Sequence, residues 1–282
     1  MIKYYSINGE ITPKENAVIG INDLGFLRGY AVFDFFRVLN GQPVFLEDHL
    51  ERFHNSANYM GLEIPYSDEV LVEKMQQLIE LNGNVDCGIK IMLTGGYSEN
   101  GYNPTKPNLV MLASYLPTYP ESIYTKGIKL MSYQYTRDTP YNKTTNYLVP
   151  IQLLKQIKEA EAMDVLYHDG TYISESARSN FFIFDDKGTL ITPDKDALEG
   201  ITRKNILKVA RNHFNVEVRP LSLKETMKAK EAFMCSSTKG VLPVRQVDFW
   251  RINKHIIGEN TKKLSQLFKE HVAAYLAERV SV

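Results

Sequence analysis

An excess of charge of either sign is the first thing this 282-residue chain lacks, because 33 Lys and Arg side chains stand against 33 Asp and Glu. Capture of nucleic acid or an anionic membrane by bulk electrostatics needs a net positive surface. That class is therefore set aside, while a local basic pocket for one small anion remains open. Cysteine is nearly absent. Cys87 and Cys235 lie far apart in apolar, strand-like runs, with no second Cys or His at metal-ligand spacing. This argues against a zinc site or any other metal centre and for plain burial of both thiols. No apolar run approaches the length of a membrane span. Met1-Ile2-Lys3-Tyr4-Tyr5 leads into polar residues without a signal-peptide core, so the expected location is cytoplasmic. Repeats and low-complexity stretches are missing too. What is left, 44% hydrophobic and 23% charged residues, is the composition of an ordinary globular protein, and its length suggests two domains.

Short strand patterns and helical patterns follow one another along the chain. Ala31 to Leu39 is rich in β-branched and aromatic residues and runs into Asn40-Gly41, a hairpin signal before Pro43 to Phe45. Leu46 to Met60 reads as a helix closed by Gly61. Ser67 reads as the N-cap of a second helix, with Leu71, Met75, Leu78 and Ile79 on one apolar face. Strand runs Gly88 to Thr94 and Asn108 to Tyr115 come next. Leu116 to Gly127 holds Pro117 and Pro120 and has no clear period, which marks a linker. The expected domains are then residues 1–118 and 127–282, joined by 119–126. The second half offers a strand from Ile128 to Tyr135, a turn region with Pro140 and Lys143, and a helix from about Tyr147 to Ala162. Hairpin turns at Asp169-Gly170 and Asp186-Lys187-Gly188, a helix opening at Gly200 and a closing helix from about Glu259 to Val280 complete it. Such a mixture reads as α+β rather than a doubly wound parallel sheet.

Four separated features carry chemistry. Lys143, in Tyr141-Asn142-Lys143-Thr144-Thr145-Asn146-Tyr147, sits among uncharged neighbours at a strand-to-helix junction. Desolvation there favours the neutral amine that attacks a carbonyl, although an isolated lysine is more often a solvated surface group. Glu175, in Ser174-Glu175-Ser176-Ala177-Arg178-Ser179-Asn180, is a carboxylate able to keep a pyridine nitrogen protonated, or else part of a solvated strand crossover. Leu198-Glu199-Gly200-Ile201-Thr202-Arg203 opens a helix, and such an N-terminus binds phosphate through unpaired amides and the helix dipole; Gly200 serves a simple turn equally well. Cys235-Ser236-Ser237-Thr238-Lys239-Gly240 follows an apolar strand and suits an anion-binding concavity or an ordinary strand-end turn.

Together, in this order, the four features resemble the class IV aminotransferases, which include branched-chain aminotransferases, D-amino-acid aminotransferases and aminodeoxychorismate lyase. Upstream, Arg52 in Asp48-His49-Leu50-Glu51-Arg52 occupies the place of that family's phosphate-binding arginine, and Asp23-Leu24-Gly25 through Phe33-Asp34 resembles its first active-site strand. The resemblance spans roughly residues 20 to 250. It implies a two-domain α+β enzyme of fold type IV, with pyridoxal 5'-phosphate in the interdomain cleft, and a homodimer whose subunits complete each other's sites. Lys143 would bond the cofactor and move the substrate Cα proton, and Glu175 would pair with the ring nitrogen. Arg52, Ile201, Thr202, Ser236 and Ser237 would hold the phosphate, and Leu198 would pack on the ring.

The resemblance leaves the substrate open. The short interval from Lys143 to Asn146-Tyr147 is nearer the D-amino-acid aminotransferase and lyase pattern. Against these stands Leu93-Thr94-Gly95-Gly96-Tyr97, which has glycines where those enzymes carry an arginine. Phe33, Phe35, Tyr97 and Thr238 are candidate substrate contacts, and Arg137 and Arg178 are candidate carboxylate receptors. The favoured expectation is transfer of an amino group between a branched-chain or other small apolar amino acid and a 2-oxo acid. The alternatives are D-amino-acid transamination, elimination of pyruvate from aminodeoxychorismate, and a phosphate-ligand binding protein that retains only the fold.

Overall fold

The computed structural model describes residues 1–252 and 257–280. The chain divides into two compact units, the first made of Met1–Pro117, Asn142–Asn146 and Glu278–Val282, the second of Thr118–Tyr141 and Tyr147–Ala277.

The first unit is built on a six-stranded antiparallel sheet. Its strands are β1 (Tyr4–Ile7), β2 (Glu10–Pro13), β3 (Ala31–Leu39), β4 (Gln42–Pro43), β5 (Cys87–Thr94) and β6 (Leu109–Tyr115), in the order β2-β1-β6-β5-β3-β4. Helices α1 (Leu24–Arg28), α2 (Leu46–Tyr59) and α3 (Asp68–Leu81) accompany them. Asn40 and Gly41 both take positive φ, 51° and 75°, which is the turn that folds β3 onto β4. The strand expected over Pro43 to Phe45 stops at Pro43, because Phe45 adopts a left-handed conformation (φ 57°) as the cap of α2. Leu71, Met75, Leu78 and Ile79 of α3 are buried together with Phe53, Val32, Phe36, Ile89 and Ile91 in one apolar core. Strand alternation then decides what the two faces of the sheet do. Val32, Phe36 and Val38 enter the core, whereas Phe33, Phe35 and Arg37 point to the other face.

The second unit carries a mixed ten-stranded sheet. Its strands are β7 (Ile128–Gln134), β8 (Asp164–His168), β9 (Tyr172–Ile173), β10 (Asn180–Phe184), β11 (Leu190–Thr192), β12 (Val216–Val218), β13 (Leu221–Ser222), β14 (Glu231–Ser236), β15 (Gly240–Val247) and β16 (Trp250–Arg251). They run in the order β12-β11-β10-β14-β15-β7-β8-β9-β13, with β16 paired to β15. Around the sheet lie α4 (Ser122–Lys126), α5 (Leu148–Gln152), α6 (Leu154–Glu159), α7 (Ile201–Ala210), α8 (Leu223–Lys228) and α9 (Glu259–Val280). Phe182 and Phe233 stack at 4.8 Å in its interior.

Three readings of the sequence change. The segment that reads as a linker contains one short helix, α4, ended by Gly127 at φ 71°. The single helix expected from Tyr147 to Ala162 is two, broken at Leu153; Leu153 and Ile157 are buried while Leu148, Ile151 and Leu154 stay exposed. Asn142–Asn146, expected in the second domain, groups with the first unit, for a reason visible in its backbone. The Phe33 amide donates to the Lys143 carbonyl at 2.9 Å, the Thr145 amide donates to the Ala31 carbonyl at 3.1 Å, and Val32 bridges Thr144. The segment extends the sheet along the start of β3.

Candidate active site

In the first unit the site is a lysine beside a buried charge cluster. Lys143 is half-buried, its amide donates to Ser56 Oγ at 3.1 Å, and its ammonium lies 4.6 Å from the centre of the Phe33 ring. Ser56 belongs to α2, which also presents His49 and Arg52; spacings of three and four residues bring all three to one face. That face meets Asp34 of β3, which has no exposed surface. Arg52 grips the Asp34 carboxylate with two parallel bonds, Nε to Oδ2 and Nη2 to Oδ1, both 2.8 Å. His49 Nδ1 meets Oδ1 at 2.6 Å, and the Phe35 amide donates to the same oxygen at 2.7 Å. A carboxylate only accepts, so His49 carries its proton on Nδ1.

Burial works against the ionised form of Asp34, but the Arg52 and His49 charges and hydrogen bonds outweigh it and hold the carboxyl well below its usual range. For His49, desolvation is the largest influence and lowers its affinity for a proton, with Asp34 opposing. Arg52 is thereby fixed in place by a carboxylate that stays charged.

Around Tyr97 the backbone leaves no room. A Cβ on Gly96 (φ 77°) would stand 2.1 Å from the Lys106 carbonyl oxygen, and one on Gly95 2.7 Å from the Tyr30 ring. Tyr97 itself is 41% exposed, and its hydroxyl accepts from the Gly20 amide.

In the second unit the site is organised by Glu175, which is buried. Arg137 donates to its Oε1 from both Nε and Nη2 at 2.7 Å, and the Leu198 amide donates to Oε2 at 3.0 Å. Arg137 also donates to the Pro140 carbonyl. The guanidinium expected as a candidate receptor for a substrate carboxylate is thus engaged on an internal one in this structure. Arg178 is exposed and makes no ion pair among the described residues; its charge acts on Lys239. Leu198 is pinned a second time, since Asn180 Nδ2 donates to its carbonyl at 2.7 Å. The same Asn180 explains Gly200, where a Cβ would fall 2.0 Å from Asn180 Oδ1. Only glycine lets α7 begin there. Ile201 and Thr202 are buried in its first turn, and Gly200 provides no side-chain cap. Arg203 anchors the turn from below through Thr192 Oγ1 and the Pro193 carbonyl.

Ser236, Ser237 and Thr238 are half-buried at the end of β14, where Gly240 (φ 60°) turns the chain into β15. The next residue, in sequence no more than part of that turn, is enclosed. Lys239 is 5% exposed, with Nζ 3.3 Å from Ser179 Oγ and 3.5 Å from Asp164 Oδ2. Asp34, His49 and Lys239 are the candidate site groups that local pattern misses; each lies within or beside a motif that the sequence singles out, but none is marked there as a site group.

Three hydroxyls of this unit are buried without a hydrogen-bond partner: Tyr167 Oη, Ser176 Oγ and Ser236 Oγ. Ser176 follows Glu175, and the Tyr167 amide donates to the Glu175 carbonyl at 2.8 Å. A buried hydroxyl left unsatisfied costs about 1–3 kcal/mol, so these residues fit a polar ligand that offers hydrogen-bonding groups. Among the described residues no group of three His, Cys, Asp or Glu could hold a metal ion, and no helix is long and apolar enough to cross a membrane.

A half-buried lysine on an anchored backbone, a buried carboxylate held by an arginine and an uncapped helix start match the parts of a pyridoxal-phosphate enzyme of fold type IV. Residues 31–247 match the family model described as amino-transferase class IV, and the chain belongs to that family of pyridoxal-phosphate-dependent enzymes. It is 28% identical to a putative branched-chain-amino-acid aminotransferase of Methanocaldococcus jannaschii, over 94% of each chain. It is 25% identical to a D-alanine aminotransferase of Staphylococcus epidermidis, over 95% of this chain and 98% of that one. Among solved structures, a branched-chain amino acid aminotransferase of Escherichia coli superposes with a TM-score of 0.88. It is 27% identical, covering 96% of this chain and 94% of the other.

Proposed function

We propose that this aminotransferase moves the amino group of a branched-chain or other small apolar amino acid to a 2-oxo acid. The observation behind the reading is the Lys143 segment, whose backbone is held by β3 and by Ser56 so that its side chain comes from a rigid support. Lys143 Nζ would hold the cofactor covalently and, when free, would take up the proton of the substrate Cα. Bound pyridoxal phosphate supplies an electron sink for the charge left on that carbon. Glu175, aimed by Arg137 and the Leu198 amide, would pair with the ring nitrogen, and Leu198 would pack on the ring. Arg52, the amides of Ile201 and Thr202, and the hydroxyls of Ser236 and Ser237 hold the phosphate.

Substrate choice rests on what lines the open face of β3 and what is missing near it. Phe33 and Phe35 offer apolar surface, with Tyr97 and Thr238 as further contacts. Gly95 and Gly96 have no space for a side chain, so the arginine of D-amino-acid aminotransferases has no counterpart there. The branched-chain relative and structure support the same choice. A homodimer goes with this reading. Val18, Ile21, Phe26 and Tyr102 are all more than 70% exposed, and Leu148, Ile151 and Leu154 repeat every three residues at 61–63% exposure; such apolar surface suits burial against a second copy. The enzyme is read as cytoplasmic, with small-molecule substrates and no nucleic-acid or membrane partner.

The test is a panel of donors given to the cofactor-loaded enzyme, read by the visible spectrum and by the 2-oxo acid formed. Turnover of L-leucine, L-isoleucine or L-valine is expected. Turnover confined to D-alanine, or pyruvate released from aminodeoxychorismate, would replace this reading with the corresponding relative's chemistry. Silence toward every amine would leave a binding protein.

A further inference from the structure

We propose that Lys239 is a positioning residue that holds the phosphate end and the ring-nitrogen end of the second unit's site at a fixed spacing. The proposal rests on the aminotransferase reading above, which gives Ser236 and Ser237 a phosphate contact and Glu175 the ring nitrogen. Strands β10 and β14 lead to these two ends, and their pairing runs from Phe184 with Glu231 to Asn180 with Cys235. Past that last pair the two chains carry the site residues, Ser236 to Thr238 on one side and Glu175 to Ser179 on the other. There the side chain of Lys239 continues the connection, with its Nζ 3.3 Å from Ser179 Oγ.

Lys239 is anchored through its backbone as well as its side chain. Its amide donates to the Ser236 carbonyl at 3.2 Å, which closes the turn bearing the serines. Its carbonyl accepts from Tyr124 Oη at 3.1 Å. Its ammonium reaches Ser179 and also Asp164 Oδ2, at 3.5 Å, on the first residue of β8. The other Asp164 oxygen accepts from the Val165 amide at 2.9 Å, so this carboxylate is a fixed point. Across the bridge, the Ser179 carbonyl accepts from the Ser176 amide at 2.8 Å, which closes the segment that follows Glu175. Neighbouring Asn180 holds the Leu198 carbonyl. A lysine only 5% exposed is a poor way merely to fill space. Enclosure disfavours its charge, Asp164 opposes that, and Arg178 adds to it. An apolar side chain would pack there without that cost, but it could not bond Ser179 and Asp164 at once. A ligand that touches both ends of a site binds more tightly when their spacing is set beforehand.

Lys239→Met alone leaves Asp164 enclosed without its cation, so the deciding variant is Lys239→Met/Asp164→Asn, which removes both charges. Cofactor-free protein is titrated with pyridoxal phosphate and with pyridoxal, which lacks the phosphate, and its stability is followed by urea unfolding. The double variant is expected to keep the wild-type urea midpoint, to bind pyridoxal as before and to bind pyridoxal phosphate about tenfold more weakly. Only a ligand that touches both ends senses their spacing. Ser179→Ala should reproduce part of that loss in the wild-type background and add nothing in the double variant, because the bond it removes is already gone. Unchanged affinity for pyridoxal phosphate, or equal weakening of both compounds, overturns the proposal. So does a urea midpoint that falls in step with affinity, since Lys239 is then a structural residue only. Borohydride trapping of the cofactor on Lys143 in the wild-type sample separates the two levels. A trapped enzyme with an unaffected double variant sinks only this proposal, whereas no trapping and no transamination sinks the aminotransferase reading and this proposal with it.

Discussion

Each unit buries a polar cluster, and the two are solved in opposite ways. In the first unit Asp34 and Arg52 form an enclosed ion pair with His49 as a further donor, every Asp34 oxygen meeting at least one donor. In the second unit Glu175 is matched, but Tyr167, Ser176 and Ser236 keep buried hydroxyls with no partner. The first cluster is a support, since its charges are balanced internally and its product is a fixed Arg52 and a fixed α2 under Lys143. Under the proposed function the second is a receptor, its unpartnered hydroxyls taking the role of holding the cofactor. A buried polar group thus has two readings, and its state of satisfaction tells them apart.

The largest expected effect breaks the support. Asp34→Asn leaves the Arg52 charge buried without its counter-ion and should cost about 3–5 kcal/mol of stability, measured by urea unfolding of the cofactor-free protein. A loss below about 1 kcal/mol would mean that water reaches the cluster. The next effect is a pH dependence. Burial makes His49 harder to protonate in the folded chain than in the unfolded one. Below the ordinary histidine range the unfolded chain takes up the extra proton, so stability present at neutral pH is lost as pH falls below about 6.5. His49→Gln should flatten that decline; His168, shifted in the same direction by burial but more exposed, leaves a smaller remainder. An unchanged slope in His49→Gln would show that His49 stays charged when folded. The smallest effect belongs to the receptor. Ser236→Ala removes an unsatisfied hydroxyl, so the cofactor-free protein should hold its stability within about 0.5 kcal/mol or gain slightly. The affinity for pyridoxal phosphate should fall several-fold in a spectroscopic titration. Destabilisation without any loss of cofactor affinity would make Ser236 part of the support.

How much of this is legible in the sequence follows the same division. The face of α3 is readable because Leu71, Met75, Leu78 and Ile79 repeat at the helical period, and the turn at Asn40-Gly41 because both residues tolerate positive φ. Strand β3 is readable as apolar alternation, which draws attention to Phe33 and Phe35 and passes over Asp34 between them. What Asp34 does depends on partners 15 and 18 residues away on another element, and local period says nothing of them. The same holds for Arg137, whose partner lies 38 residues on, and for Lys239, which looks like a surface turn lysine until Asp164 is seen 75 residues earlier. Lys143 stands out by resemblance. Its attachment to the edge of β3 does not, because a strand pairing across more than a hundred residues leaves no mark on either segment.

The central claim is that Lys143 is the residue that bonds the cofactor. Borohydride reduction of the pyridoxal-phosphate-loaded protein, followed by proteolysis and mass spectrometry, tests it directly. The account predicts one reduced adduct, on the peptide containing Lys143, and none on Lys90 or Lys239. An adduct on another lysine, or wild-type activity in Lys143→Ala, would contradict it.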